Sequence, residues 1–205
     1  MQGNKQIKCI LFDADGVTII STPFSRHLEK DYGITQEMTS QFFNGIFREC
    51  LVGKADLKKE LPDYLKEWKW PGSLDKFLGY WFSSESVVDK RVLDVIASYR
   101  KDGIPCYLAT NQEKYRTEYI RNQMGFGRLF DGIFSSAYLG CKKPDNEFFE
   151  GVYQALEKEY DVKKKEIMFC DDSAKHVDAA RKFGFNAFQY KDFISFKRKL
   201  KSNIS

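Results

Sequence analysis

The chain has 205 residues, 42% of them hydrophobic and 30% charged, with a formal net charge of +4. That length can bury a sizeable core, and eighteen Phe and eleven Tyr argue against disorder, because such side chains need a packed interior. Lys and Arg are dispersed, which gives nucleic-acid binding no support, and no apolar stretch reaches the roughly eighteen residues of a membrane span.

The first apolar run, residues 8–12, reads as a short buried strand and ends on Asp13-Ala14-Asp15-Gly16-Val17. From about residue 18 to residue 88 no convincing strand follows. Instead Met38, Phe42, Phe43, Ile46, Phe47 and Cys50 recur at helical spacing, as do Leu57, Leu61, Tyr64, Leu65 and Trp68, and then Leu74, Phe77, Leu78 and Trp81. Three stripes of this kind predict a small helical bundle, punctuated by Gly53 and Pro71-Gly72. A further helix over Val92, Val95, Ile96 and Tyr99 stops at Asp102-Gly103, and a strand over 105–109 leads into Thr110-Asn111.

Tyr115, Tyr119, Ile120 and Met124 then predict a helix ending at Gly125, and residues 132–135 a strand. Lys142-Lys143-Pro144-Asp145 precedes the helical stripe Phe148, Phe149, Val152, Leu156 and Tyr160. A strand over 167–170 leads into Asp171-Asp172-Ser173, a helix over 174–183 ends at Gly184, and 187–190 is the last strand. Residues 191–201 suit a C-terminal helix with apolar Phe193, Ile194, Phe196 and Leu200 and a wet lysine face.

Strands alternating with helices predict an α/β fold, a Rossmann-like parallel sheet covered by helices on both faces. Spacing locates the extra unit. Thr110 to Lys143 is 33 positions and Lys143 to Asp171 is 28, each the size of one βαβ crossover of about 30 residues, whereas Asp15 to Thr110 is 95. The surplus of about 60 residues predicts an inserted helical cap over 18–88, with 1–17 and 89–205 forming the catalytic core.

Ligands of a parallel α/β sheet collect outside the carboxyl ends of its strands, and Asp13, Thr110 and Asp171 each follow an apolar run there. Lys143 reaches the same rim from a loop. Four carboxylates at one rim repel one another unless a cation intervenes, and oxygen-only ligands favour Mg²⁺. With Asp13, Asp15, Asp171 and Asp172 in one pocket, the negative charge exceeds that of Mg²⁺ and Lys143 by one, so one proton on Asp15 neutralises the site and equips it as a general acid. The expected chemistry is in-line attack of Asp13 on phosphorus, with an aspartyl-phosphate intermediate. Asp15 protonates the leaving oxygen, and Thr110, the backbone at Asn111 and Lys143 hold the phosphoryl oxygens.

Other polar features read as ordinary. His27 and His176 stand near no expected nucleophile and lack metal-ligand spacing, so both are expected to be solvated or packed. Cys9, Cys50, Cys106, Cys141 and Cys170 are odd in number and unpaired in spacing, and Cys141 is expected to be inert despite Lys142 and Lys143 beside it.

On these motifs the chain resembles the haloacid dehalogenase-like (HAD) hydrolases from about residue 8 to residue 190: Asp13-Ala14-Asp15-Gly16-Val17, Thr110-Asn111, Lys143-Pro144-Asp145 and Asp171-Asp172-Ser173 look like the family's four motifs. The resemblance implies a helical C1 cap. It also implies Mg²⁺ bound by Asp13, the backbone carbonyl of Asp15 and Asp172, with Asp171 touching the metal directly or through water. An acid at Asp15 marks the phosphatase and phosphomutase branches rather than the dehalogenase branch. Residues 108–114 and 134–144 look most like small sugar-phosphate phosphatases, including glucose-1-phosphate phosphatases, so the implied partner is a small phosphorylated metabolite. A cap loop often supplies specificity in such relatives, which makes Lys54 in Gly53-Lys54-Ala55-Asp56 a candidate contact. A phosphomutase and a phospho-accepting signalling domain are the competing expectations. The polar start of the chain, without a secretory signal pattern, predicts a cytoplasmic protein, expected as a monomer or weak homodimer.

Overall fold

The computed structural model describes residues 7–204. Five short strands, β1 (Cys9–Phe12), β2 (Cys106–Thr110), β3 (Gly132–Ser135), β4 (Ile167–Asp171) and β5 (Asn186–Gln189), pair in parallel in the order β3-β2-β1-β4-β5. All five expected strands are present, with ends displaced by one residue at most. Thr110 and Asp171 belong to the ladders themselves, opposite Ser135 and Gln189.

The central strand is buried on both sides, and its residues alternate between two cores as the two-residue period of a strand requires. Ile10 and Phe12 join one cluster with Val92 and Ile96 of α6 (Lys90–Lys101), Ile120 of α7 (Lys114–Asn122) and Phe126 of α8 (Phe126–Leu129). Cys9 and Leu11 join the other cluster. After the four-residue α9 (Ser136–Leu139), α10 (Asn146–Tyr160) adds Phe148, Phe149, Val152 and Leu156 to it, and α11 (Ala174–Phe183) adds Val177 and Ala180. The C-terminal α12 (Phe193–Ile204) covers the first cluster with Phe196 and Leu200 and exposes Lys197 to Lys199. Ile194, grouped with the apolar face in the sequence, is exposed.

The helical insert contains α1 (Phe24–Tyr32), α2 (Gln36–Asn44), α3 (Phe47–Cys50), α4 (Leu57–Glu67) and α5 (Leu74–Ser84). It has a core of its own, with Phe24, Leu28, Phe42, Leu61, Trp68 and Phe77 buried together. The Thr35, Asp56 and Ser73 side chains accept backbone N–H bonds at the starts of α2, α4 and α5 and satisfy donors that a helix start leaves unpaired. The sequence stripe over 38–50 is two helices, broken at Gly45, and Met38 is exposed while Thr39 and Phe42 take the buried face.

The insert is tied to the sheet by its two connecting segments and by α7. Ile19 bridges Val88 antiparallel, Ile20 N–H donates to Val87 O at 2.8 Å, and Asp89 N–H to Thr18 O at 3.1 Å. This short ladder is strand-like structure that the sequence pattern did not disclose. The buried Arg116 guanidinium of α7 donates to the carbonyls of Phe82 and Glu85, capping the end of α5 with a cation where the helix dipole favours one.

Glu113 caps the start of α7, accepting the N–H groups of Tyr115 at 2.8 Å and of Arg116. Burial, with Asp56 adding to it, pushes the Glu113 carboxyl up to about 7. A carboxyl raised in the native state favours folding below its unfolded value of about 4.3, and that contribution is lost as pH rises through about 7. Between pH 4 and pH 8 the wild type is expected to lose on the order of 3 kcal/mol that a Glu113→Gln variant keeps. Thermal melts across that range test it, and parallel profiles would contradict it.

Candidate active site

In the observed strand order the chain turns back between β1 and β4, and in such sheets the crevice beyond those strand ends is where ligands bind. Asp13 N–H donates to Cys170 O at 2.9 Å, which brings the residue after β1 beside the end of β4. The chain then turns sharply. Gly16 takes a φ of 77°, its N–H donates to Ile19 O at 2.8 Å, and Thr18 and Ile19 both donate to Ala14 O. A Cβ at position 16 would overlap the Asp172 carboxylate, so glycine is required both by the backbone angle and by the close approach of the second acid pair.

Lys143 is the centre of the rim. Its ammonium is buried, 2.9 Å from Asp13 Oδ2 and 2.6 Å from Asp171 Oδ2. Asn111 sets the lysine's place: its side-chain oxygen accepts Lys143 N–H at 2.8 Å and its side-chain amide donates to Lys143 O at 2.9 Å. Asp171 also accepts Ser173 N–H at 2.8 Å, and His176 Nδ1 lies 3.1 Å from its Oδ2. Burial works against the charge on Asp171, but His176 and Lys143 outweigh it and hold this carboxyl below the usual range. Burial likewise opposes the Lys143 charge, and Asp13 and Asp171 outweigh it and raise the ammonium's pKa.

The other acids behave differently. Burial pushes the Asp13 carboxyl well up, against the pull of Lys143 and with the help of Asp171. Desolvation and the Asp171 charge raise Asp172 as well. Asp15 opens into the cavity and accepts a hydrogen bond on Oδ2 from the Gln112 side-chain amide at 2.5 Å; desolvation raises its pKa, while Arg116 and Gln112 oppose the rise.

These groups surround a cavity of about 430 Å³ lined by Asp13, Asp15, Gly16, Thr110, Asn111, Asp172 and His176, and walled from the insert side by Ile19, Ser21, Pro23 and Glu85. All but one of the residues selected from sequence therefore meet at this rim. The exception is Lys54, which lines a different cavity of about 730 Å³ with Glu49, Asp56, Glu113, Tyr115 and Tyr138. Gly53 explains that placement: a Cβ there would overlap Ala137 O, so the Gly53 to Asp56 loop lies against the corner after β3.

Sequence reasoning set His176 aside, and the structure corrects this, since its position in the first turn of α11 turns the ring back onto Asp171. Gln112 and Glu85 were not anticipated either, and no local pattern marks them. Cys141 is half-buried, and burial pushes its thiol up, with Glu147 and Asp145 adding to the shift, so the neighbouring lysines do not activate it.

The doubly wound α/β sheet thus gathers acids, a lysine and a threonine at its carboxyl rim, with the helical insert walling the cavity there. The chain belongs to the haloacid dehalogenase-like hydrolases, whose family profile matches residues 7–184. It is 32% identical over 107 residues to the sesquiterpene phosphatase astK of Aspergillus oryzae, covering 52% of this chain and 53% of that protein. It is 29% identical over 107 residues to the drimenol cyclase drtB of Aspergillus calidoustus, covering 51% and 20%. The match thus spans about half the length of the first relative and a fifth of the second. Among solved structures, a HAD family enzyme of Bacteroides thetaiotaomicron in complex with magnesium and inorganic phosphate has a TM-score of 0.74 at 21% identity, covering 93% of this chain and 98% of that one. The L-2-haloacid dehalogenase of Xanthobacter autotrophicus has a TM-score of 0.65 at 18% identity, covering 98% and 85%. These likenesses show a shared fold.

Removing the cation of this rim leaves two buried acids without their partner. Lys143→Met is expected to destabilise the protein by about 3–5 kcal/mol, read as a lowered urea midpoint. An unchanged midpoint would show that the ammonium is not what holds Asp13 and Asp171 together.

Proposed function

We propose that the chain hydrolyses a small phosphomonoester through a phosphorylated Asp13, with Mg²⁺ as its cofactor. The single observation that carries the reading is the ion pair of buried Lys143 with both Asp13 and Asp171, which supplies a positioned carboxylate and a phosphoryl-binding cation at one rim. The phosphatase name of the Aspergillus oryzae relative, and the magnesium and phosphate in the Bacteroides structure, support it.

The donor chemistry suits a hard divalent cation. Asp13 and Asp172 are oxygen donors whose pKa values are raised by burial and by the charge on Asp171, so added positive charge favours their ionised forms. Asp13, the backbone carbonyl of Asp15 and Asp172 would hold the ion. Asp171, with Lys143, Ser173 and His176 already on its oxygens, would serve from behind. When bound, Mg²⁺ neutralises charge on the phosphoryl group and keeps Asp13 ionised.

In this reading an Asp13 carboxylate oxygen attacks phosphorus, and the ester oxygen departs with the proton of Asp15. Water then attacks the aspartyl-phosphate, Asp15 takes the water's proton, and phosphate leaves. Thr110 Oγ1, the backbone N–H of Asn111 and Lys143 receive the phosphoryl oxygens, whereas the Asn111 side chain is engaged in holding Lys143. The Gln112 amide on Oδ2 of Asp15 leaves Oδ1 as the oxygen that carries the transferable proton. For the alcohol, a sugar is what the family resemblance implies, with Ser21 in the cavity wall to meet a hydroxyl, and a sesquiterpene alcohol is what the Aspergillus oryzae relative's name implies. A phosphomutase would use the same aspartyl-phosphate and return the phosphoryl group, so free phosphate as product distinguishes hydrolysis from transfer.

Phosphate release from p-nitrophenyl phosphate is expected to vanish with a chelator, return with Mg²⁺, and fall on the order of a thousandfold or more in Asp13→Asn. Substantial turnover by a clean Asp13→Asn preparation would remove the nucleophile. Asp15→Asn should cost about 10²–10⁴ on an alkyl phosphate, whose leaving group needs a proton, and far less on p-nitrophenyl phosphate. Gln112→Leu should show the same leaving-group dependence at smaller size, and equal losses on both esters would make Gln112 merely structural.

A further inference from the structure

The Asp13 cavity adjoins a second one inside the helical insert, and the two have Pro23 and Glu85 as common wall. The second holds about 270 Å³ and is bounded by Phe24 at the start of α1, Phe43 of α2 and Trp81 of α5. Phe24 stacks on Trp81 with centroids 5.1 Å apart, and Phe43 meets the same indole edge-on at 5.4 Å, so the three rings form one apolar surface. Gln36, Thr39, Ser40, Phe43 and Asn44 recur at helical spacing and make one face of α2 a wall of the cavity, polar apart from Phe43.

Glu85 is the one charged group among the residues lining this second cavity, and its carboxylate is already committed. Oε1 accepts Phe24 N–H at 2.8 Å and Oε2 accepts the Trp81 indole N–H at 3.0 Å. The acid at the junction is thereby turned toward the insert's own backbone and indole, and the rings beside it are left to meet a ligand. The faces of the three rings offer a hydroxyl no hydrogen-bond partner, whereas methylenes gain from leaving water against them. Ligand pockets usually run from about 300 to 1,000 Å³, and the Asp13 cavity of about 430 Å³ has the second, of about 270 Å³, directly beside it across Pro23 and Glu85.

We infer that the second cavity receives a hydrocarbon tail of the substrate's alcohol, so that the preferred ester is a phosphorylated apolar alcohol several carbons long rather than a sugar phosphate. The inference rests on the phosphomonoesterase reading above, because it needs the phosphoryl group seated at Asp13. Each methylene entering the pocket should raise kcat/KM about fourfold until the space is filled.

The test is an assay with Mg²⁺ of ethyl, butyl, hexyl and octyl phosphate below their micelle concentrations, beside glucose 1-phosphate and p-nitrophenyl phosphate. The expected result is a kcat/KM that climbs about three- to fourfold per methylene over at least four methylenes, with octyl phosphate at least about tenfold above glucose 1-phosphate. Ser40→Phe, which narrows the α2 wall, should cut the octyl-to-ethyl ratio at least about tenfold, with its folding checked by melting temperature. If that variant does not fold, the wild-type series decides alone. A flat series, a folded Ser40→Phe with an unchanged ratio, or glucose 1-phosphate ahead of octyl phosphate would overturn the tail site; with p-nitrophenyl phosphate still hydrolysed, the hydrolytic reading would stand. No turnover of any ester would overturn hydrolysis itself, and the tail site with it.

Discussion

One buried ammonium governs the rim. Lys143 reaches Asp13 after β1 and Asp171 at the end of β4; it pulls against the burial that raises Asp13 and, with His176, holds Asp171 charged. The parallel register of β1 and β4 sets the two acids side by side, and Asn111 at the end of β2 fixes the lysine's backbone between them. Three neighbouring strands therefore each contribute one part of a single electrostatic unit, and the sheet's register is what keeps those parts within hydrogen-bond reach.

A second layer of contacts separates the acids by role. Asp171 is surrounded by donors and kept charged, whereas Asp15 faces a cavity with a single amide on one oxygen. Two carboxyls in environments that push their protonation apart are what a site needs when one must stay anionic and another must carry a proton. The insert completes the enclosure. Arg116 joins α7 to the end of α5, and Glu85 ties α5 to the start of α1, so the wall over the cavity is hydrogen-bonded to a helix that packs on the sheet.

The sheet and most of the rim were legible in the sequence because each strand is a short apolar run with a polar residue at its end, and crossover-sized spacing brings those ends together. Helix count was less legible. α3, α8 and α9 are four residues each, too short to display a period, and Gly45 divides one stripe into two helices. Gln112 meets Asp15 across 97 positions, and no local pattern can announce such a contact. His176 was passed over because a lone histidine has no partner until the turn after β4 folds it back on Asp171. Lys54 shows the opposite failure: its loop was readable as a turn, but only packing against Ala137 decides which cavity that turn faces.

The most direct measurement is the chemical identity of the phosphorylated residue. Protein quenched in acid during turnover of p-nitrophenyl phosphate with Mg²⁺, reduced with borohydride and digested, should carry the reduced label at Asp13 in the peptide spanning the end of β1. Continued turnover with no label at Asp13, or with the label on another residue, would contradict the proposal that this carboxylate attacks phosphorus.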